Sequence, residues 1–350
     1  MKNRKNPFVD EKRLELETLV QTHLSSRKVK HGDYDFLECN EGYINAFQWR
    51  RPSAFFSDYP EYEEKVRCRN EESVYKIIEQ LINNGPSKLK VITDFDYTLS
   101  KHHTNDRTLT PAADIIRLSP FMSDEFRMRS RQRFEKLLPV ELDASLTIEQ
   151  KIPTVIASFQ EGFADIVDSK VVNRRILAQM IDEAGDDFQL RDRCDETLKC
   201  LYDAKIPVLI FSAGFGDLVK GILHKHSLYY SNINVVGNFM EFDDKERLVG
   251  FQRPLIHTFN KNSSVIPANC FDELSHRNNV ILLGDSIGDV SMAEGVQRCG
   301  NLLKIGFLNE VNEEQLNIFL ETFDIVLLDD QTTNFVNFLL NRIIAKGAEL

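Results

Sequence analysis

The run 90–100, Lys-Val-Ile-Thr-Asp-Phe-Asp-Tyr-Thr-Leu-Ser, constrains the fold more than any other stretch of the chain. Val91, Ile92 and Thr93 read as the end of a strand buried on both faces, the kind found in parallel sheets. Asp94 and Asp96 follow. Residues two apart share one face of a strand, so at its last turn these carboxylates crowd into one small space. Like charges that close raise a pKa or recruit a cation. Mg²⁺ suits such a pair, because it prefers hard oxygen ligands and keeps waters that a phosphate can replace. Taken alone, the same residues also fit an Asp-rich turn in which Asp94 or Asp96 caps a helix.

The rest of the chain alternates strands and helices. Apolar spacing and stop signals predict helix 71–83, with Val74, Ile77, Ile78, Leu81 and Ile82 on one side and Gly85-Pro86 ending it. Strand 89–93 follows. Residues 109–201 read as almost wholly helical, most clearly over 134–138, 148–167 and 171–184. Strands are predicted at 208–211, 233–236, 280–283, 302–305 and 325–328, helices at 217–223, 311–320 and 335–345, and a hairpin near 243–244. This alternation describes a three-layer α/β fold with a parallel sheet, and the helical block reads as an inserted cap. The expected organisation is an N-terminal extension over 1–70, partly helical at 11–24; a Rossmann-like catalytic core over 71–104 and 202–350; and a cap over 105–201.

Composition excludes several classes. A formal net charge of -11 disfavours a nucleic-acid polymer as partner. The six cysteines show no C-x-x-C spacing and read as the reduced thiols of a cytoplasmic protein. Residues 1–30 lack the apolar core of a secretory signal. No stretch reaches the roughly 18 apolar residues that a membrane-spanning helix needs.

Four loops carry chemistry. The first holds Asp94, Asp96 and Thr98. The second, Phe-Ser-Ala-Gly-Phe-Gly-Asp at 211–217, places a hydroxyl and small residues before a helix, where backbone N–H groups can hold phosphate oxygens. Lys261 is the basic residue of a polar run over 258–264. In the fourth loop the strand 280–283 delivers Asp285 to its carboxyl end, and Gly288 lets the chain turn toward Asp289. In open α/β sheets the site lies outside the carboxyl ends of the strands. Neither a P-loop nor a dinucleotide fingerprint is present. His102 and His103 read as surface residues of a polar loop. A carboxylate can act as a covalent nucleophile toward phosphorus, a cation and a lysine can offset the charge repulsion, and a second carboxylate can move the proton.

These four motifs resemble those of the haloacid dehalogenase superfamily. The runs 92–100, 211–217, 238–243, 255–261 and 281–289 further resemble the cytosolic 5'-nucleotidase III family, over roughly residues 70–345. The resemblance implies a three-layer Rossmann-like fold with an inserted helical cap, and it implies roles. Asp94 would be the nucleophile and a Mg²⁺ ligand. Asp96 would be the general acid/base, binding Mg²⁺ through its carbonyl, and Asp285 the third protein ligand. Ser212, with the backbone at Ala213 and Gly214, would hold phosphate. Lys261 would bridge phosphate and nucleophile, Asp289 would orient Lys261, and Thr98 would support the loop. In the cap, Glu141 stands where the family reads the base, and Phe159 would stack on it.

The implied activity is Mg²⁺-dependent hydrolysis of nucleoside 5'-monophosphates to nucleoside and phosphate through an aspartyl-phosphate, by a monomeric cytoplasmic enzyme with no membrane partner. The cap contains no Trp, the best face for a cationic ring, which favours CMP and UMP over 7-methylguanosine 5'-monophosphate. Tyr97 and Asp114 also depart from the residues expected near the pocket. The alternatives are a 7-methylguanosine monophosphate-preferring nucleotidase, a phosphatase of another small metabolite, and a non-catalytic scaffold.

Overall fold

The computed structural model describes residues 56–143, 145–266, 276–294 and 300–347. The expected helix over 11–24 lies outside the described residues.

Strands β1 (Val66–Arg67), β2 (Leu89–Thr93), β3 (Val208–Phe215), β4 (Ile233–Asn238), β5 (Met240–Phe242), β6 (Leu248–Phe251), β7 (Asn279–Gly284), β8 (Asn301–Leu308) and β9 (Ile325–Leu328) follow in chain order. Seven form one sheet in the order β1-β9-β8-β7-β2-β3-β4. Every pairing within it is parallel except that of β1 with β9, while β5 and β6 form a separate hairpin. The residues of β2 and β7 are buried throughout, as expected of strands covered on both faces.

Among the described residues the α-helices are α1 (Tyr62–Lys65), α2 (Glu71–Asn84), α3 (Ile115–Leu118), α4 (Asp124–Leu142), α5 (Ile148–Asp168), α6 (Arg174–Ala184), α7 (Cys194–Asp203), α8 (Gly216–Lys225), α9 (Glu313–Thr322) and α10 (Asn334–Gly347). Helix α2 starts where the Asn70 side chain accepts from Ser73 N–H, and it buries Val74, Ile78 and Leu81. Helices α3 to α7 lie between β2 and β3 in the chain. Thr147 and Gln150 form a reciprocal capping box that starts α5.

Residues 56–70 were expected in the extension, yet they join the main core. Val66 pairs with Leu327 at the sheet edge. Phe56 stacks on Tyr62 with ring centroids 4.6 Å apart, and Tyr59 meets Phe335 of α10 edge-on. These aromatics follow no helical or strand period, so sequence pattern could not assign them to a packed layer. Among the described residues, no helix is long and apolar enough to cross a membrane.

Candidate active site

The sheet order makes β2 the neighbour of both β3 and β7, so three loops converge at one edge. Asp94 follows β2, and its backbone N–H donates to Leu283 of β7 at 3.0 Å. Asp285 follows β7. Opposite them, Lys261 donates from its buried Nζ to Asp94 Oδ1 and, at 2.9 Å, to Asp289 Oδ1. The other Asp289 oxygen accepts the N–H groups of Asp285 and Ser286 at 3.2 and 3.0 Å. Gly284 is required here: a Cβ on it would lie 2.5 Å from Asp289 Cβ, blocking the 3₁₀ turn Ile287–Ala293 from folding back on the strand end.

One oxygen each from Asp94, Asp285 and Asp289 lie within 4.8 Å of one another. Burial pushes the Asp94 carboxyl up to about 7 despite the opposing charge of Lys261, and Asp289 adds to the rise. Asp285 is also raised, by burial and then by Asp94 and Asp289. Burial works against the charge on Lys261, but Asp289 and Asp94 together hold its pKa above the usual lysine value. Three carboxylates facing one ammonium leave a surplus of negative charge. The hard oxygen donors of Asp94 and Asp285, with both Asp289 oxygens already engaged, fit a divalent cation.

Asp96 lies two residues further along the same loop, where its Oδ1 accepts from Ala112 N–H at 2.5 Å. Burial pushes its carboxyl up to about 6, against the pull of the Ala112 and Ala113 N–H groups. Thr98 Oγ1 donates to Asp285 Oδ1 at 3.4 Å. The loop is tightly bent: Tyr97 has φ of 59°, a left-handed conformation that costs energy for a bulky residue.

Arg191, which the sequence reading did not single out, holds this bend. Its fully buried guanidinium donates to the carbonyls of Thr98 (2.7 Å), Tyr97 and Asp330 and to Asn309 Oδ1 (2.7 Å). It also sits 4.1 Å from the centroid of the Phe307 ring. No motif or periodicity marks Arg191, because its partners are mostly backbone carbonyls supplied by distant segments.

Ser212, Ala213 and Gly214 leave the sheet ladder together. Phe211 pairs with Val236 and Phe215 with Asn238, so the intervening residues bulge out of register. Ser212 Oγ accepts from Gly214 N–H at 3.0 Å, and Asn238 Nδ2 holds the bulge through the Ala213 carbonyl at 2.8 Å. Thus Asp94, Asp96, Ser212, Ala213, Gly214, Lys261, Asp285 and Asp289 all border one cavity of about 380 Å³. Thr98 touches it through Asp285.

The cap residues divide. Phe159 lines the cavity, and its ring meets Phe163 edge-on at 6.1 Å. Glu141 is not among the cavity-lining residues, but lies 3.5 Å from the Thr258 hydroxyl, which does line it. Asp114 and Arg117 line it as a bidentate pair. His102 and His103, expected at the surface, are half-buried instead. Their backbone N–H groups point at the Gln331 side chain, and the Tyr97 ring packs edge-on against His102. The loop folds back against the turn after β9, which its polarity alone does not reveal.

Residues 97–344 match the family model described as Pyrimidine 5'-nucleotidase (UMPH-1). The 7-methylguanosine phosphate-specific 5'-nucleotidase A of Xenopus laevis is 39% identical over 286 residues, covering 81% of this chain and 98% of that protein. The Homo sapiens 7-methylguanosine phosphate-specific 5'-nucleotidase is 36% identical over 286 residues, covering 81% and 94%. The crystal structure of cytosolic 5'-nucleotidase IIIB bound to cytidine superposes with a TM-score of 0.78 at 31% identity, covering 86% of this chain and all of that one. The family model spans well over half of the chain, and on this ground the chain belongs to the pyrimidine 5'-nucleotidase (UMPH-1) family.

Proposed function

We propose that this chain hydrolyses nucleoside 5'-monophosphates to nucleoside and inorganic phosphate with Mg²⁺ as cofactor, and that CMP and UMP are its favoured substrates. The observation that carries this is the convergence of Asp94, Asp96, Ser212, Lys261 and Asp285 on a single cavity whose far wall is the cap. Asp94 and Asp285, with the Asp96 carbonyl, would hold Mg²⁺, which when bound supplies charge stabilisation for the transferring phosphoryl group.

Asp94 Oδ attacks phosphorus while Lys261 neutralises part of the charge between nucleophile and phosphate. The bond from phosphorus to the 5'-oxygen breaks, and that oxygen takes the proton carried by Asp96. Asp96 then removes a proton from water, which attacks the aspartyl-phosphate, releases inorganic phosphate and restores Asp94. A carboxyl pushed up to about 6 suits this proton exchange near neutral pH. Ser212 and the backbone of Ala213 and Gly214 receive the phosphate oxygens. Phe159 offers a face to the base, while Glu141 borders the base end through Thr258. The protein would work in the cytoplasm, as a monomer.

A second reading, preference for 7-methylguanosine 5'-monophosphate, is favoured by the names of the Xenopus laevis and Homo sapiens relatives. Phosphate release from CMP, UMP, 7-methylguanosine monophosphate, AMP and phosphoserine, with Mg²⁺ and with EDTA, separates the readings. Low turnover on every nucleotide, or turnover that survives EDTA, overturns the proposal.

A further inference from the structure

The base end of the cavity is built from one face of each long cap helix. Phe126, Ser130, Arg133 and Leu137 recur at helical spacing on α4, and Phe159 and Gly162 face them from α5. Arg133 is the notable member of this wall. An arginine on a cap helix normally reaches for solvent, yet this side chain is only 14% exposed.

Two features hold it there. Its Nη1 donates to Asp165 Oδ2 at 2.6 Å, and Arg129 Nε anchors the other Asp165 oxygen at 3.1 Å. Gly162 makes the room: a Cβ there would lie 3.3 Å from Arg133 Nε and 3.5 Å from Nη2. Glycine inside a helix costs about 1 kcal/mol relative to alanine, and Gly162 lies well inside the helix Ile148–Asp168. Arg117, the other cavity-lining arginine next to the catalytic loop, is different. Both its Nε and Nη2 are committed to the two oxygens of Asp114, at 2.8 and 2.5 Å. Arg133, by contrast, commits only Nη1 to Asp165, while Arg129 takes the other Asp165 oxygen and also pairs with Glu125 at 2.7 Å, so the Nε and Nη2 donors of Arg133 remain available at the cavity wall.

We infer that Arg133 is a specificity-determining residue that reads the base of the nucleotide. A guanidinium donates and cannot accept, so it selects a neutral base carrying a carbonyl or ring-nitrogen acceptor, as cytosine and uracil do. It disfavours 7-methylguanine, which keeps an O6 acceptor but carries a positive ring charge that the guanidinium repels. This assignment rests on the nucleotidase reading above and sharpens its substrate class.

The experiment is kcat/KM for CMP, UMP, 7-methylguanosine monophosphate and ribose 5-phosphate, which has no base, in the wild type, Arg133→Met and Gly162→Ala. A hydrogen bond to a charged group predicts that Arg133→Met lowers CMP and UMP turnover relative to ribose 5-phosphate by about 10- to 100-fold, mainly through KM. The ratio of 7-methylguanosine monophosphate to CMP turnover should rise. Gly162→Ala, which displaces the guanidinium without removing it, should shift the ratios in the same direction by less. A parallel loss on all four substrates, or unchanged ratios, overturns the role of Arg133 and leaves the nucleotidase reading standing. Absence of nucleotide turnover in the wild type counts against that reading instead.

Discussion

The buried ammonium of Lys261 donates to the carboxylate of Asp94 across 167 positions of chain. The contact joins a loop between β6 and β7 to the end of the central strand β2. It puts a positive charge where two further carboxylates, Asp285 and Asp289, would otherwise repel Asp94. On the proposed mechanism, a phosphoryl group entering beside Asp94 would meet this ammonium, which Asp289 already orients.

Asp94→Asn should abolish turnover while the protein stays folded. The amide keeps the shape of the carboxylate but cannot form the acyl-phosphate. Phosphate release should fall at least about 10³-fold, with the circular dichroism spectrum unchanged. Substantial residual Mg²⁺-dependent release would reject Asp94 as nucleophile.

Lys261→Met removes the shared partner of Asp94 and Asp289. Breaking a buried ion pair from one side typically costs about 3–5 kcal/mol, so the metal-free melting temperature should drop. Mg²⁺ should recover part of this loss by offsetting the exposed carboxylate repulsion. An unchanged melting temperature in EDTA would show that the pairing adds nothing to the fold.

The carboxyl groups of Asp94 and Asp96 are raised from 3.8 to about 7 and about 6, chiefly by burial. Between the unfolded and folded values the native state binds more protons than the unfolded chain. The stability these groups contribute is therefore present at low pH and lost as pH rises through that window. In EDTA, the wild type should lose stability between about pH 4 and pH 7 more steeply than Asp94→Asn. Mg²⁺ must displace the retained protons, so its affinity should weaken below about pH 6. Melting curves and isothermal titration across this range test both signs.

Arg191→Lys should not rescue Arg191→Ala, because an ammonium cannot reach four acceptors arranged around a planar fork. Leaving buried carbonyls unsatisfied should cost roughly 3 kcal/mol. The effect on kcat should come with weaker Mg²⁺ binding, since the loop Arg191 secures also carries the Asp96 carbonyl. Equal Mg²⁺ affinity in wild type and variant would limit Arg191 to a purely structural role.

The chain itself determined the chemistry of the strand ends. The β-branched runs before Asp94 and Asp285 specify buried parallel strands, and the polar residues after them must emerge at the same edge. Those relationships are local, because strand period and turn residues act within a few positions. The core boundary and the base end were decided by tertiary structure. Phe56 and Tyr59 follow no period, yet find Phe335 and Phe338, which lie more than 270 positions away. Nothing in the local sequence sets Arg133 or Asp165 apart from the other charged residues of α4 and α5. Only the packing of α4 against α5, and the missing side chain of Gly162, turns that pair inward toward the cavity. Charge and burial are properties of the assembled surface, and a guanidinium lining a cavity has the same local sequence as one in water.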